Sequence, residues 1–276
     1  MSRATALTLA LTLSAAAQAA DGTLHPDRLS IGSDLTYPPY TYLDQGKPAG
    51  FDPEFMTLLG QHLKLAPQFQ DTRFANLVMG VNARRFDAVA SALYVTPERA
   101  AQVDFLPYLK SGASLMVRAD DSFRPQAPQD LCGKRIGSIK GGSWIPKLMA
   151  LSKSHCEANG QAPIDSREFP TSPEAAQALL AKAVDVQFED AAVAAITADK
   201  LKGRVVISSH ELIYPVVIGL AVRKGNDTLL GALRQGFEAM KHSGEYQTLL
   251  SRYNLGEPSP GEVAQALGQN PQAPAQ

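Results

Sequence analysis

Short apolar runs alternate along this chain with longer stretches of helical periodicity, and turn residues mark each change of period. That alternation constrains the fold more than any other feature. Strands separated by helices favour parallel pairing and an α/β architecture. Leu29-Ser30-Ile31-Gly32-Ser33 reads as a strand, and the turn Tyr37-Pro38-Pro39-Tyr40 follows it. Asp52-Pro53 is expected to open a helix, since Asp caps and Pro suits the first helical position. Phe55, Met56, Leu58, Leu59 and Leu63 then recur at helical spacing. Further helices are expected over 75–84, from Thr96, over 144–151 and 172–181, after Asp190, and over 227–242 and 245–253. Strands are expected over 87–91, 135–139, 184–188, 205–208 and 216–222. From Glu257 the chain is Pro, Gly, Gln and Ala with little to bury, so 257–276 reads as a disordered tail.

The chain has 276 residues, enough for one large domain or two of about 100–120 residues. Its net charge of −1 offers no basic field for nucleic acid and no Lys/Arg run for a membrane surface. Arg3, the apolar run from Ala4 to Leu13 and the small residues of Ala17-Gln18-Ala19 read as a secretory signal over 1–19. That run is too short to span ~30 Å of hydrocarbon, and no Cys follows it to carry a lipid. The expected location is therefore the periplasm, without a lipid anchor. Cys132 and Cys156 are the two cysteines. In an oxidising compartment an even count favours a disulfide over two buried thiols. It would close a loop of about 25 residues, worth on the order of 3 kcal/mol. The five histidines show no metal-ligand spacing, two cysteines alone do not make a zinc site, and no cofactor is expected.

Several residues stand where α/β proteins place ligands, beyond the carboxyl ends of strands. Arg99 falls in the first turn of the helix from Thr96, where the helix dipole mildly opposes a cation. It either holds an anion together with free backbone N–H groups or pairs in solvent with Glu98 or Asp104. Asp190 follows a buried-looking strand and precedes a helix. It is either an N-cap or an acceptor for an ammonium group, and the two roles are compatible. Asp34 carries the same ambiguity. Tyr37, Tyr40, Phe51, Tyr94 and Trp144 each lie near a strand–helix turn, as core residues or as the walls of a ligand site.

Gly32 to Tyr40, Gly50-Phe51-Asp52, Phe86 to Ser91, Thr96-Pro97-Glu98-Arg99, Val103-Asp104-Phe105 with Tyr108, Gly137 to Ser143, Val184-Asp185 with Asp190, and Gly219 to Gly225 form an ordered set. With these pieces the chain resembles the extracellular solute-binding proteins of polar amino-acid transporters, over about residues 28–255. The resemblance implies a two-lobed periplasmic-binding-protein fold: two α/β lobes joined by two crossing hinge strands, with lobe 1 over 27–111 plus 217–256 and lobe 2 over 112–216. It implies a carboxylate clamp at Arg99, an ammonium acceptor at Asp190, and groups beside the ligand at Ser91 and Ala92. Gly142 and Ser143 would donate from the other lobe, and Tyr37 and Phe51 would flank the ligand side chain; Asp34 completes the candidate set. Two departures stand out. Tyr94 occupies a position usually held by a small Ser or Thr, and Gly142 one often held by Ser or Thr. The partners implied are a small amino-acid-like ligand and the inner-membrane permease subunits of an ABC transporter, with the protein acting as a monomer. The alternative is a periplasmic enzyme on the same fold, similar to cyclohexadienyl dehydratases, with Glu189 as general acid. A third reading, an accessory protein that docks an oxidoreductase and binds no solute, leaves Arg99 and Asp190 without a role.

Overall fold

A computed structural model describes residues 22–269, so the expected signal segment lies outside the described residues. The strands are β1 Arg28–Ser33, β2 Thr36–Tyr37, β3 Thr41–Asp44, β4 Lys47–Ala49, β5 Ala66–Asp71, β6 Ala88–Val89, β7 Val103–Arg118, β8 Arg135–Ile139, β9 Asp165–Phe169, β10 Val186–Asp190, β11 Val205–Ile207 and β12 Ile213–Arg223. The helices are α1 Phe51–Leu63, α2 Leu77–Asn82, α3 Pro97–Ala100, α4 Trp144–Leu151, α5 Ser172–Leu180, α6 Ala191–Lys200, α7 Asp227–Ser243, α8 Glu245–Tyr253 and α9 Pro260–Ala266.

In one half, β1 runs parallel to β5 on one side and to β6 on the other. In the other half, β8 runs parallel to β10 and to β9. Both central strands are buried almost end to end, as parallel strands covered by helices on both faces should be. β7 and β12 lie antiparallel between the halves. β12 pairs with β6 and β7, and β7 continues onto β10 and β11. Hydrogen bonding therefore does not break between the halves: nine strands form one ladder in the order β5-β1-β6-β12-β7-β10-β8-β9, with β11 on β7. This differs from the picture of two separate sheets. The crossing strands are themselves the middle of the ladder, and β1, β5 and β6 pair with none of β8, β9 and β10. A single sheet running through both halves departs from the expectation of a break between them, and what holds is an α/β fold whose two parallel-stranded halves are joined in the ladder through β7 and β12.

α1 begins at Phe51, one residue ahead of the expected cap at Asp52. Gly50 takes the N-cap position with φ 109°, a conformation that favours glycine. A Cβ there would stand 2.6 Å from the Tyr40 carbonyl oxygen. Phe51 N–H donates to Pro39 O and Asp52 N–H to Tyr40 O, so Asp52 has no capping work to do. Its carboxylate turns inward instead, accepting from Ala92 N–H at 2.9 Å and from the Tyr108 hydroxyl at 2.5 Å. Phe51 and Phe55 stack on Tyr108, and Phe237 and Tyr246 meet Phe55 edge-on. This aromatic cluster fixes α1, α7 and α8 on one face of β7.

Cys132 and Cys156 are bonded, with their Cα atoms 5.4 Å apart, and so tie the segment before β8 to the turn after α4. The expected disordered tail is partly ordered. Ser259 and Glu262 form a reciprocal capping box at the start of α9, with Pro260 in the first turn. Gly256 O accepts from Lys110 N–H on β7, and Ala266 and Leu267 pack against the cluster around Val95 and Val217. A short helix marginal by itself is held there by tertiary packing.

Candidate functional site

The site is built where the ends of β6, β8 and β10 and the loops after them converge between the halves. Arg99 extends from α3, whose N-cap Thr96 accepts from Arg99 N–H. Its guanidinium donates to Tyr94 O at 2.8 Å and to Gly141 O at 3.0 Å, and lies 5.4 Å from the Phe74 ring centroid. Gly141 belongs to the half opposite Arg99, so the side chain bridges the cleft. Asp104, one of the two acids that could have neutralised it, is instead held by Lys224 and Gly225 N–H. Among the described residues no carboxylate forms an ion pair with Arg99. Desolvation lowers its guanidinium to about 10, still cationic at neutral pH. A half-buried cation satisfied only by carbonyls retains its attraction for an anion.

Asp190 realises the capping role. Its Oδ1 accepts from Ala192 and Val193 N–H at 2.9 and 3.3 Å, at the N-terminus of α6. Its Oδ2 accepts from the Tyr94 hydroxyl at 2.6 Å and from the Ser111 hydroxyl at 2.7 Å. The residue is 0 % exposed, and burial raises its carboxyl above the ordinary range. An ammonium ligand would have to displace Tyr94 from a hydrogen bond to a charged group, a class worth about 1.5–3 kcal/mol. Tyr94 and Trp144 meet edge-on with ring centroids 5.7 Å apart. Between Tyr37, Phe74, Tyr94, Arg99, Ser143 and Trp144 only ≈ 10 Å³ remains, room for about one water. Gly142 is coupled to this filling. A Cβ at that position would stand 2.7 Å from the Trp144 ring, so the indole can lie here only over a glycine.

A second contact crosses the cleft: the Tyr37 hydroxyl donates to Glu189 Oε1 at 2.6 Å. Glu189 also accepts from Ser172 Oγ, from Gln187 Nε2 at 2.8 Å and from Asp190 N–H at 3.0 Å. Burial raises its carboxyl to about 7. Every acceptor position it has is occupied by a side chain or backbone donor, and it is 0 % exposed.

The sequence-derived candidates therefore divide. Tyr37, Ala92, Tyr94, Arg99, Gly142 and Ser143 line the small cavity together. Asp190 lies directly behind Tyr94. Asp34 and Ser91 stand in a supporting layer: Ser91 Oγ accepts from Asp34 N–H, and the Asp34 carboxylate is taken by Thr36, Phe74 N–H and Arg73. Phe51 lies in the aromatic cluster against Phe55, Tyr108 and Tyr253, away from the cavity lining. Sequence reasoning missed Phe74, Gly141 and Tyr214. The first two contact Arg99 from elements distant in the chain, and nothing local marks them. Tyr214 did carry a signal, a Tyr-Pro pair inside an apolar strand, the mark of a bulge or edge.

The small cavity opens into a cleft of ≈ 1320 Å³ that shares Tyr94, Arg99, Gly142, Ser143 and Trp144 as its inner wall. Two α/β halves, two strands running between them, and a cation facing the cleft with no ion pair among the described residues define a two-lobed binding protein. The model of the bacterial extracellular solute-binding proteins, family 3, matches residues 29–257, and the chain belongs to that family. It is 27% identical to the L-cystine-binding protein of Escherichia coli over 227 residues, 82% of each chain. It is 26% identical to the histidine-binding periplasmic protein of Salmonella typhimurium over 264 residues, 90% of this chain and 95% of that one. An ancestral arginine-binding protein solved with arginine superposes with a TM-score of 0.75 at 27% identity, covering 82% of this chain and 98% of its own. These relatives are binding proteins.

Proposed function

We propose that the chain is the substrate-binding component of an ABC transporter, exported to the periplasm by its N-terminal signal, and that it delivers a small anionic solute to permease subunits in the inner membrane. The observation that carries this reading is Arg99: a cation without a carboxylate partner among the described residues, facing the cleft and touching both of its walls. Residues 27–111 plus 217–256 act as one lobe and 112–216 as the other, and Tyr37–Glu189, Tyr94–Asp190 and Arg99–Gly141 are the contacts that open and close with solute. Closure about a hinge is the general motion of two-lobed binding proteins. The relatives bind cystine, histidine and arginine, which supports a carboxylate-bearing solute; the ligand-lining set is Tyr37, Ala92, Tyr94, Arg99, Gly142 and Ser143, with Asp190 behind it. The test is a thermal-shift screen of carboxylate metabolites, since a ligand at 100 times its Kd adds about 2.7 kcal/mol of stability. A hit that raises the melting temperature of the parent and not of Arg99→Ala supports the proposal. A library of carboxylates in which nothing stabilises the parent contradicts it.

A further inference from the structure

The narrow and the wide cavity meet at Arg99, and they suit different ligands. The narrow one holds ≈ 10 Å³, and its ammonium-directed acid is sealed by Tyr94 and Ser111. The wide one holds ≈ 1320 Å³, above the roughly 300–1,000 Å³ usual for small-molecule sites. Its outer wall mixes apolar and aromatic groups with charged ones: Tyr214 and Pro215 in β12, Ile145 and Pro146 in α4 and Ala266 in α9 stand beside Glu98, Lys110, Lys147, Glu168 and Glu262.

Tyr214 is placed there at a cost. The β7–β12 pairing shifts register between Ile213 and Val216, and Tyr214 takes φ 49°, the left-handed region that a bulky aromatic side chain rarely enters. A bulge of this kind re-aims a side chain, and strained residues concentrate at ligand sites. The ring stacks on Phe188 with centroids 6.0 Å apart and carries Lys147 Nζ 4.8 Å above its centroid. Like Arg99, Lys147 forms no ion pair among the described residues, whereas Lys110 across the cleft is paired with Glu262.

We infer that the ligand of this protein is an organic anion with an extended apolar or aromatic body and no free α-ammonium, its carboxylate on Arg99 and its body along Trp144 and Tyr214 in the wide cleft. This rests on the solute-binding reading above and departs from it in ligand class. A free amino acid has to break the Tyr94–Asp190 bond and displace two rings to place its ammonium. An N-acylated amino acid or aryl-alkyl carboxylate breaks neither and covers apolar surface that is otherwise wet. Arg99 supplies the matching charge, and Lys147 adds to it against Glu98 in the same wall.

Phenylalanine and N-acetylphenylalanine form a matched pair that differs at the ammonium. Calorimetric titration of the mature chain with both, and with arginine, reads the inference directly. The acetylated compound should bind at least about tenfold more tightly than phenylalanine or arginine, roughly one decade in Kd. Tyr214→Ala should weaken the acetylated compound alone, and Tyr94→Ser should shift the preference toward the free amino acids. Phenylalanine or arginine binding as tightly as the acetylated compound would overturn the inference whether or not either variant folds. If a free amino acid from the wider screen binds and is lost in Arg99→Ala, this inference fails and the solute-binding reading stands. If neither the pair nor any other carboxylate binds, both fail.

Discussion

Asp52 sits between Ala92 N–H and the Tyr108 hydroxyl, fully buried. Desolvation outweighs both hydrogen bonds and raises its carboxyl to about 7, against roughly 4 in an unfolded chain. The folded state therefore holds this proton more tightly than the unfolded state does. Its contribution to stability is complete below about pH 4 and is lost as pH rises through about 7. Glu189, also raised to about 7, adds the same sign. Asp104 and Asp185, whose carboxyls Lys224 and Arg135 hydrogen bonds lower, act oppositely and lose their contribution as pH falls below about 4. The melting temperature should accordingly peak near about pH 4 and fall as pH rises to about 7. Asp52→Asn can offer its carbonyl to Ala92 N–H and its amide to Tyr108, and should flatten the fall by about half; melts at several pH values check it, and an unchanged slope would mean Asp52 does not titrate in this range. At this scale position alone left Arg99 and Asp190 with two readings each, and the structure adds the capping of α6 by Asp190 and the carbonyl partners of Arg99. What was not legible is that Tyr94 occupies the Asp190 carboxylate, because a hydrogen bond across the cleft spans ninety-six positions and leaves no periodic trace.

At the scale of elements, legibility followed burial. β1, β8 and β10 are buried and apolar, and their runs are plain in the sequence. β5 and β9 are mostly exposed and polar, as edge strands are, and neither stands out by pattern. β7 escaped notice because Pro107, Lys110, Ser111 and Gly112 interrupt its apolar run just where it passes between the halves. α9 was missed because its Ser-Pro-Gly-Glu start reads equally as a loop, and only packing against Val95 and Val217 decides the matter. Ser259→Ala removes one side of its capping box, a loss of about 1 kcal/mol. Amide exchange at Glu262 should quicken about fivefold while the global melting temperature holds; unchanged exchange would mean that packing alone sets the helix. The disulfide spans a sequence separation of 24. Replacing both cysteines by Ser should cost on the order of 3 kcal/mol, a fall of about 6–12 °C by calorimetry. No fall would mean the segment between α4 and β9 is fixed without it.

Over the whole molecule, the alternation of strands and helices carried the α/β class, and the ordered motifs carried the family. The continuity of the ladder through β7 and β12 was not readable, since two strands alone were expected to pass between the halves and their pairing partners lie far apart in the chain. The cleft those strands floor is where the account stands or falls, and Arg99 is the residue it turns on. Inside a closed cleft, removing one partner of a desolvated charge pair costs on the order of 2–5 kcal/mol. A solvated surface pair is worth at most about 1 kcal/mol. The measurement is calorimetric titration of the parent and of Arg99→Ala with the strongest stabilising carboxylate from the thermal-shift screen. A Kd weakened about thirtyfold or more is the result this account predicts, and a Kd within about fivefold of the parent would contradict it.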